Sequence, residues 1–182
     1  MLEVTIPAIE LFDPETNEFY KPLEKDQTLL LEHSLLSLHK WEQKWKKPFI
    51  SDKNKSTEET IDYIRCMTIS RGVDQNVYKV IPPSVISQVT EYINDPMTAT
   101  TFSDSQNKKK SRKIITAEII YYWMIALNIP VEFEKWHLNS LLTLIEVCSI
   151  KNQPPKKRSK SEIYARNRAI NEQRRAALHS KG

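Results

Sequence analysis

Nine consecutive residues decide the fold of this chain: Ile119-Ile120-Tyr121-Tyr122-Trp123-Met124-Ile125-Ala126-Leu127. The run has helical character and is almost wholly apolar, so we expect a helix that the rest of the protein covers on all sides. It is far shorter than the roughly 20 residues that a membrane-spanning helix requires. The run therefore predicts a helix inside a protein core, and it gives no reason to place the chain in a membrane.

The segment after this run predicts a second helix that packs against it. Residues 128–130 (Asn-Ile-Pro) form a break, after which apolar residues recur at three- and four-residue steps: Leu138, Leu141, Leu142, Ile145 and Cys148. This spacing places apolar side chains on one face of a helix. We therefore expect a helix pair over about residues 116–127 and 132–150, with His137 packing or capping at the start of the second helix.

The first third of the chain predicts strands. Apolar residues alternate with polar ones over residues 2–6, and residues 13–18 (Asp-Pro-Glu-Thr-Asn-Glu) have the composition of a turn. Phe19 and Tyr20 resume the apolar pattern, so we expect a hairpin across Leu2–Tyr20. Residues 28–33 fit either a third strand or the start of a helix, and we favour the strand.

The chain then becomes helical. We expect a short helix from about Ser34 or Ser37 to Lys46, because Pro48 follows it. Ser56-Thr57-Glu58-Glu59 has the spacing of a capping box and predicts the start of another helix. A further helix should begin at residues 82–84 (Pro-Pro-Ser), because proline is favoured in the first turn of a helix. The polar and basic residues 97–113, which include Lys108–Lys113, predict an exposed loop.

Together these patterns predict an α+β fold that is predominantly α. An N-terminal β-hairpin of two or three strands should precede a bundle of about five helices and a basic C-terminal helical tail. The corresponding regions are residues 1–33, 34–151 and 152–182, since residues 152–155 (Asn-Gln-Pro-Pro) read as a linker.

Charge is distributed unevenly along the chain. Residues 151–182 carry ten lysines and arginines against two glutamates, a net charge of +8. Because the whole chain has a net charge of +4, the other 150 residues carry −4. The basic tail has only a thin apolar face, so we expect it to dock weakly until it meets a partner.

Several classes of chemistry are excluded by composition. The only glycines are Gly72 and Gly182, whereas phosphate-binding loops and the nucleophile elbow each need several. The spacing of the four histidines matches no zinc-binding motif. The sequence also shows no set of a nucleophile, a base and an orienting group that could form a catalytic site. We therefore predict a protein that is not an enzyme and has no cofactor or metal.

The expected compartment is the cytoplasm. The sequence begins without a basic, apolar leader, which indicates that no signal peptide is present. Cys66 and Cys148 both lie in apolar periodic segments, where free thiols pack as small hydrophobic groups in a reducing compartment.

Aromatic residues supply the candidate binding site. Trp41 and Trp45 are four residues apart on a predicted helix, and Phe49 follows them on a lysine-bearing segment. These side chains either pack in the core, form a groove for a partner, or stack bases on a basic surface. Spacing alone leaves the three interpretations open.

Several strings resemble one known group of proteins. They include Trp41-Glu42-x-x-Trp45-x-Lys47-Pro48-Phe49, residues 60–67 (Thr-Ile-Asp-Tyr-Ile-Arg-Cys-Met), residues 97–102 (Met-Thr-Ala-Thr-Thr-Phe), residues 115–130 and Trp136-His137-Leu138-Asn139-x-Leu141-Leu142. Together they resemble small proteins encoded among the tail genes of long-tailed bacteriophages, the tail assembly chaperones. The resemblance covers most of residues 34–182, including the Arg- and Ala-rich ending Ala169–Gly182.

The resemblance implies a protein that binds the long helical tape-measure protein while tail-tube subunits polymerise around it. Such chaperones are usually absent from the finished virion, and many are made in two lengths by a translational frameshift. A helical body with an aromatic groove could shield the apolar stripe of a helical client, and a basic tail could wrap an acidic one. The expected contacts are Trp41, Trp45 and Phe49 for the apolar part and Arg166, Arg168, Arg174 and Arg175 for the electrostatic part.

Two other functions stay open. The predicted N-terminal hairpin does not match an all-helical chaperone, which favours a virion component such as a head–tail connector or a tail-tube-associated protein. Alternatively, Lys108–Lys113 and the +8 tail bind nucleic acid non-specifically, with an affinity that falls steeply with salt. Because a single hairpin is marginal in water, its strands could also pair between copies in a homo-oligomer.

Overall fold

A computed structural model describes residues 1–15, 17–52, 54–102, 114–153 and 160–178. Within these ranges four short strands precede six α-helices, which confirms the predicted predominantly helical α+β class. The strands are β1 (Leu2–Ile6), β2 (Leu11–Asp13), β3 (Glu18–Tyr20) and β4 (Gln27–Leu31). The helices are α1 (Leu35–Trp45), α2 (Thr57–Met67), α3 (Pro83–Asn94), α4 (Ala117–Ala126), α5 (Leu138–Asn152) and α6 (Lys160–Leu178).

The strands form two antiparallel pairs rather than one hairpin. β2 pairs with β3 as predicted, but β1 pairs with β4, in a register that runs from Leu2 opposite Leu31 to Ile6 opposite Gln27. Burial explains this pairing, because Val4 and Ile6 of β1 and Leu29 and Leu31 of β4 all lie in the core. The predicted third strand is therefore confirmed, and its partner is the first strand.

Local signals in the sequence set the helix ends. The capping box is present, since the Ser56 hydroxyl accepts from the Glu59 amide and the Glu59 carboxylate accepts from the Ser56 amide. α1 ends at Trp45 and is capped by Lys46, whose backbone is left-handed, with a φ of 56°. α3 begins at Pro83, where the missing N–H of proline costs no hydrogen bond.

Two predictions about the helix pair are wrong. The second helix begins at Leu138 rather than near residue 132, because residues Val131–Lys135 form a separate 3-10 turn. α4 is not covered on all sides either, since Tyr122 is 66% exposed and Ile125 is 75% exposed. Its buried positions, Ala117, Ile120 and Met124, occupy one face only.

The chain divides into two compact units, Met1–Ser149 and Ile150–Gly182. In the first unit, α1 packs against α2 and α4, and α3 packs against β1. In the part of the chain that the structure describes, no helix is both long enough and apolar enough to cross a bilayer. The predicted basic loop Lys108–Lys113 lies outside the described residues.

Candidate interaction surface

Trp41, Trp45 and Phe49 form one cluster, but Trp41 and Phe49 lie inside the core. Trp41 has no exposed surface and Phe49 is only 9% exposed, and their ring centroids lie 5.0 Å apart. The Trp41 indole Nε1 donates to the Glu59 carbonyl over 2.9 Å. The core-packing interpretation therefore describes both residues, and a partner could reach them only by opening the core.

Trp45 lies at the edge of the same cluster and is partly buried. Its ring stacks on Trp41 with a centroid distance of 6.1 Å, and its Nε1 donates to Asp62 Oδ2 over 2.8 Å. Nearby lysines already have partners: Lys44 pairs with Asp62, and Lys47 pairs with Glu59. These two cations complement buried carboxylates, which accounts for Lys44 and Lys47 without a nucleic acid.

A buried carboxylate connects this cluster to α4. Glu42 is 7% exposed; its Oε1 accepts from the Phe49 amide over 2.8 Å and its Oε2 from the Ala117 amide over 2.7 Å. Ala117 is the first residue of α4, so the Glu42 carboxylate lies at the positive end of that helix. Among the described residues, the Thr116 side chain forms no capping hydrogen bond, so Glu42 does the capping from α1.

The face of α4 opposite its buried positions is exposed and mostly apolar. Tyr122, Ile125 and Ala126 lie on this face together with Glu118, because their spacings of three, four and eight residues return to one side of a helix. We call Tyr122, Ile125 and Ala126 the α4 face. Nothing in the almost wholly apolar sequence of this run distinguishes these positions from the buried ones, so their exposure could not be predicted from the sequence.

The 3-10 turn Val131–Lys135 lies next to α4 in the chain and also exposes apolar side chains. Tyr121 OH donates to Glu134 Oε2 over 2.8 Å and holds the turn beside α4. The turn and the residue after it expose Val131 (59%) and Trp136 (46%), and Trp136 stacks on Phe133 with a centroid distance of 4.2 Å. Large exposed apolar side chains on neighbouring elements are typical of a protein-binding surface.

His33 and His137 form a buried pair, and each ring is hydrogen-bonded within the protein. His33 Nδ1 shares a hydrogen bond of 2.6 Å with Tyr63 OH, and its ring centroid is 5.1 Å from that of His137. His137 Nδ1 accepts from the Asn139 amide at the start of α5, and Nε2 faces the Tyr92 carbonyl at 3.1 Å, so this residue, predicted to pack or to cap, does both. Burial lowers the pKa of His33 to about 3 and also lowers the pKa of His137.

A groove of about 780 Å³ opens beside this pair. Its wall includes Glu32, Tyr92, Trp136 and His137. Tyr92 OH donates to Glu32 Oε1 over 2.7 Å, so these two polar side chains satisfy each other. Over the described ranges, no three histidine, cysteine or acidic side chains converge in a way that could hold a metal ion.

The four predicted arginines all lie on α6 and are exposed. Arg168 and Arg175 are seven residues apart and share one face of the helix, whereas Arg166 lies on the opposite face. Tyr164 and Leu178 of the same helix are 73% and 75% exposed. α6 therefore presents a cationic surface with isolated apolar side chains.

Comparison with known proteins found no matching family model, no matching curated protein and no matching solved structure.

Proposed function

We propose that this chain is a non-enzymatic tail assembly chaperone of a long-tailed bacteriophage, and that it binds the tape-measure protein in the host cytoplasm during tail assembly. The observation that carries the proposal is the α4 face. Tyr122 and Ile125 are exposed on a helix that lies within the strings resembling these chaperones. The proposal moves the apolar contact from Trp41 and Phe49, which are buried, to this face.

The chemistry of the α4 face suits a helical client. A helix with an apolar stripe can lay that stripe against exposed apolar side chains of a receiving surface. Burying a side chain such as Ile125 or Tyr122 contributes roughly 1.5–3 kcal/mol, so the pair contributes about 3–6 kcal/mol. A contribution of this size corresponds to at least about 100-fold in affinity for the client.

The α6 arginines supply a second, electrostatic contact. Arg166 and Arg174 are exposed and could pair with carboxylates along an acidic helix. Exposed ion pairs contribute only about 0.2–1 kcal/mol each and weaken with salt. The apolar contact should therefore survive high salt, and the arginines should mainly raise the association rate.

Co-expression tests the proposal. The tagged chain is purified with proteins of the same gene cluster at low and high salt, and mass spectrometry identifies proteins in the bound fraction and in purified virions. The chaperone function is supported if a long helical tape-measure protein is retained at high salt and this chain is absent from virions.

Two other results would each favour a different function. Finding this chain in mature particles at a fixed copy number indicates a structural virion component. Recovery of nucleic acid alone, lost at high salt, indicates a nucleic-acid-binding protein.

A further inference from the structure

Helix α6 presents a polar face on which arginines flank an asparagine. A helix turns by about 100° per residue, so Arg168 and Arg174 lie about 60° to either side of Asn171, from which each is three residues away. Arg175 lies about 40° from Asn171 on the Arg168 side, and Asn167 lies about 40° from it on the Arg174 side. All five side chains are exposed, and we call them the Asn171 face.

The arginines of the Asn171 face have no acidic partner within the ranges that the structure describes. None of the salt bridges found there involves Arg168, Arg174 or Arg175. Glu172 is the one acidic side chain described on α6, and it lies about 100° from Asn171, at the border of the face. The face therefore offers positive charge to an anionic partner.

The distribution of this charge favours duplex DNA over other anionic partners. An acidic helix packs along one side of α6, whereas a helix in the major groove of DNA has a phosphate strand on each side. Arginines on both sides of Asn171 fit the second arrangement. A membrane surface is disfavoured, because Tyr164 and Leu178 lie within about 20° of Asn171 and not on a separate apolar face.

We propose that α6 lies in the major groove of duplex DNA, with Asn171 toward the base edges and the flanking arginines on the two phosphate strands. The groove is about 12 Å wide, and a helix with its side chains is about 10–12 Å in diameter. An asparagine amide can bind both N6 and N7 of adenine, and arginine binds phosphate in a bidentate way. The major groove of duplex RNA is too narrow for side chains to read, so we expect DNA to be preferred.

This contact goes beyond the proposed function and does not depend on it. The α4 face belongs to the first compact unit, Met1–Ser149, whereas α6 belongs to the second. Variants of the Asn171 face should therefore lose DNA binding and keep the apolar contact with the client at high salt. Variants of the α4 face should do the reverse.

Fluorescence anisotropy of the full chain with a random-sequence DNA duplex, over a salt series, tests the proposal. The logarithm of the binding constant should fall with the logarithm of the salt concentration, with a slope of about 0.9 for each phosphate contacted. R168Q/R174Q removes one arginine from each side of Asn171, so it should reduce this slope by about two and weaken binding about tenfold at low salt. Glutamine is a good helix former, so α6 itself should be kept.

A matched variant removes the same charge elsewhere. R71Q/R166Q changes an exposed arginine of the first unit and an exposed arginine about 140° from Asn171 on α6. It should change DNA binding less than about twofold, because neither position belongs to the Asn171 face.

Replacing Asn171 separates base contacts from phosphate contacts. Selection from a random duplex library identifies the sequence that the wild-type chain prefers. Asn171→Ala should lower the preference for that sequence over random DNA at least about fivefold, because the amide that distinguishes adenine is lost. The salt slope should stay unchanged, since no phosphate contact is removed.

Four results would overturn the proposal. The first is the absence of DNA binding at low salt, and the second is an equal loss of binding in the two glutamine variants. The third is a sequence preference that Asn171→Ala leaves unchanged. The fourth is binding of duplex RNA, or of polyglutamate as a model acidic polypeptide, that is as tight as the binding of DNA.

Discussion

Glu42 fixes the position of α4, and replacing it by alanine tests how the candidate surface is held. The Glu42→Ala change leaves the buried amides of Phe49 and Ala117 without their acceptors. Each buried N–H group left unsatisfied costs about 1–3 kcal/mol, so we expect a loss of about 2–6 kcal/mol in the free energy of unfolding. For a chain of this size, each kcal/mol lowers the melting temperature by roughly 2–4 °C.

Chemical denaturation followed by circular dichroism measures this loss, and hydrogen exchange locates it. The amides of Phe49 and Ala117 should exchange faster in the variant than in the wild type. Glu42→Gln keeps one acceptor oxygen and should lose about half as much stability. Glu91→Ala, at an exposed position of α3, is the matched control and should change stability by less than about 0.5 kcal/mol. A Glu42→Ala loss as small as that of the control would refute the role of Glu42.

Three further measurements test the interior. The pKa of His33 is about 3 in the folded protein against the usual 6.5, so the stability that neutral His33 provides should be complete above pH 6.5. The free energy of unfolding should fall toward acid by at most about 1.4 kcal/mol per pH unit, and urea titrations at descending pH measure this fall. If the free energy of unfolding of His33→Gln depends on pH as steeply as that of the wild type, the prediction is contradicted. Burial raises the pKa of the Cys66 thiol to about 11, so its alkylation at neutral pH should be about 100-fold slower than that of a free cysteine, as mass spectrometry of the labelled chain can show. Trp41→Phe should lower the free energy of unfolding, measured by denaturant titration, by about 2–4 kcal/mol, and Trp45→Phe by about 1 kcal/mol, because only Trp41 is fully buried. Equal losses in the two variants would argue against this packing.

Features set by neighbouring residues could be predicted from the sequence. The capping box at Ser56 and the helix start at Pro83 depend on chemistry within a few residues, and both are confirmed. His137 was predicted to pack or to cap at the start of the second helix, and its bond to the Asn139 amide is equally local. By contrast, β1 pairs with a strand more than twenty residues away, and no local signal distinguishes that partner from the nearer one.

The candidate site depended on information that is absent from the sequence pattern. The run in α4 is apolar on almost every side, so only the packing of the folded chain against one face of α4 decides that Tyr122 and Ile125 are exposed. The spacing of Trp41 and Phe49 fitted a groove as well as a core, and the carbonyl of Glu59 that binds Trp41 lies 18 residues away. The exposed arginines of α6 were predictable, because that segment offers too little apolar surface to bury them.

Binding of purified tape-measure protein to variants of the α4 face tests the central claim most directly. Tyr122→Ser/Ile125→Ser removes the two exposed side chains, and Ile69→Ser removes an exposed isoleucine from a different part of the first unit. We expect the double variant to keep wild-type stability and to bind the tape-measure protein at least about 100-fold more weakly at high salt, while Ile69→Ser binds like the wild type. Undiminished binding by a folded double variant would contradict the assignment of the α4 face as the client site.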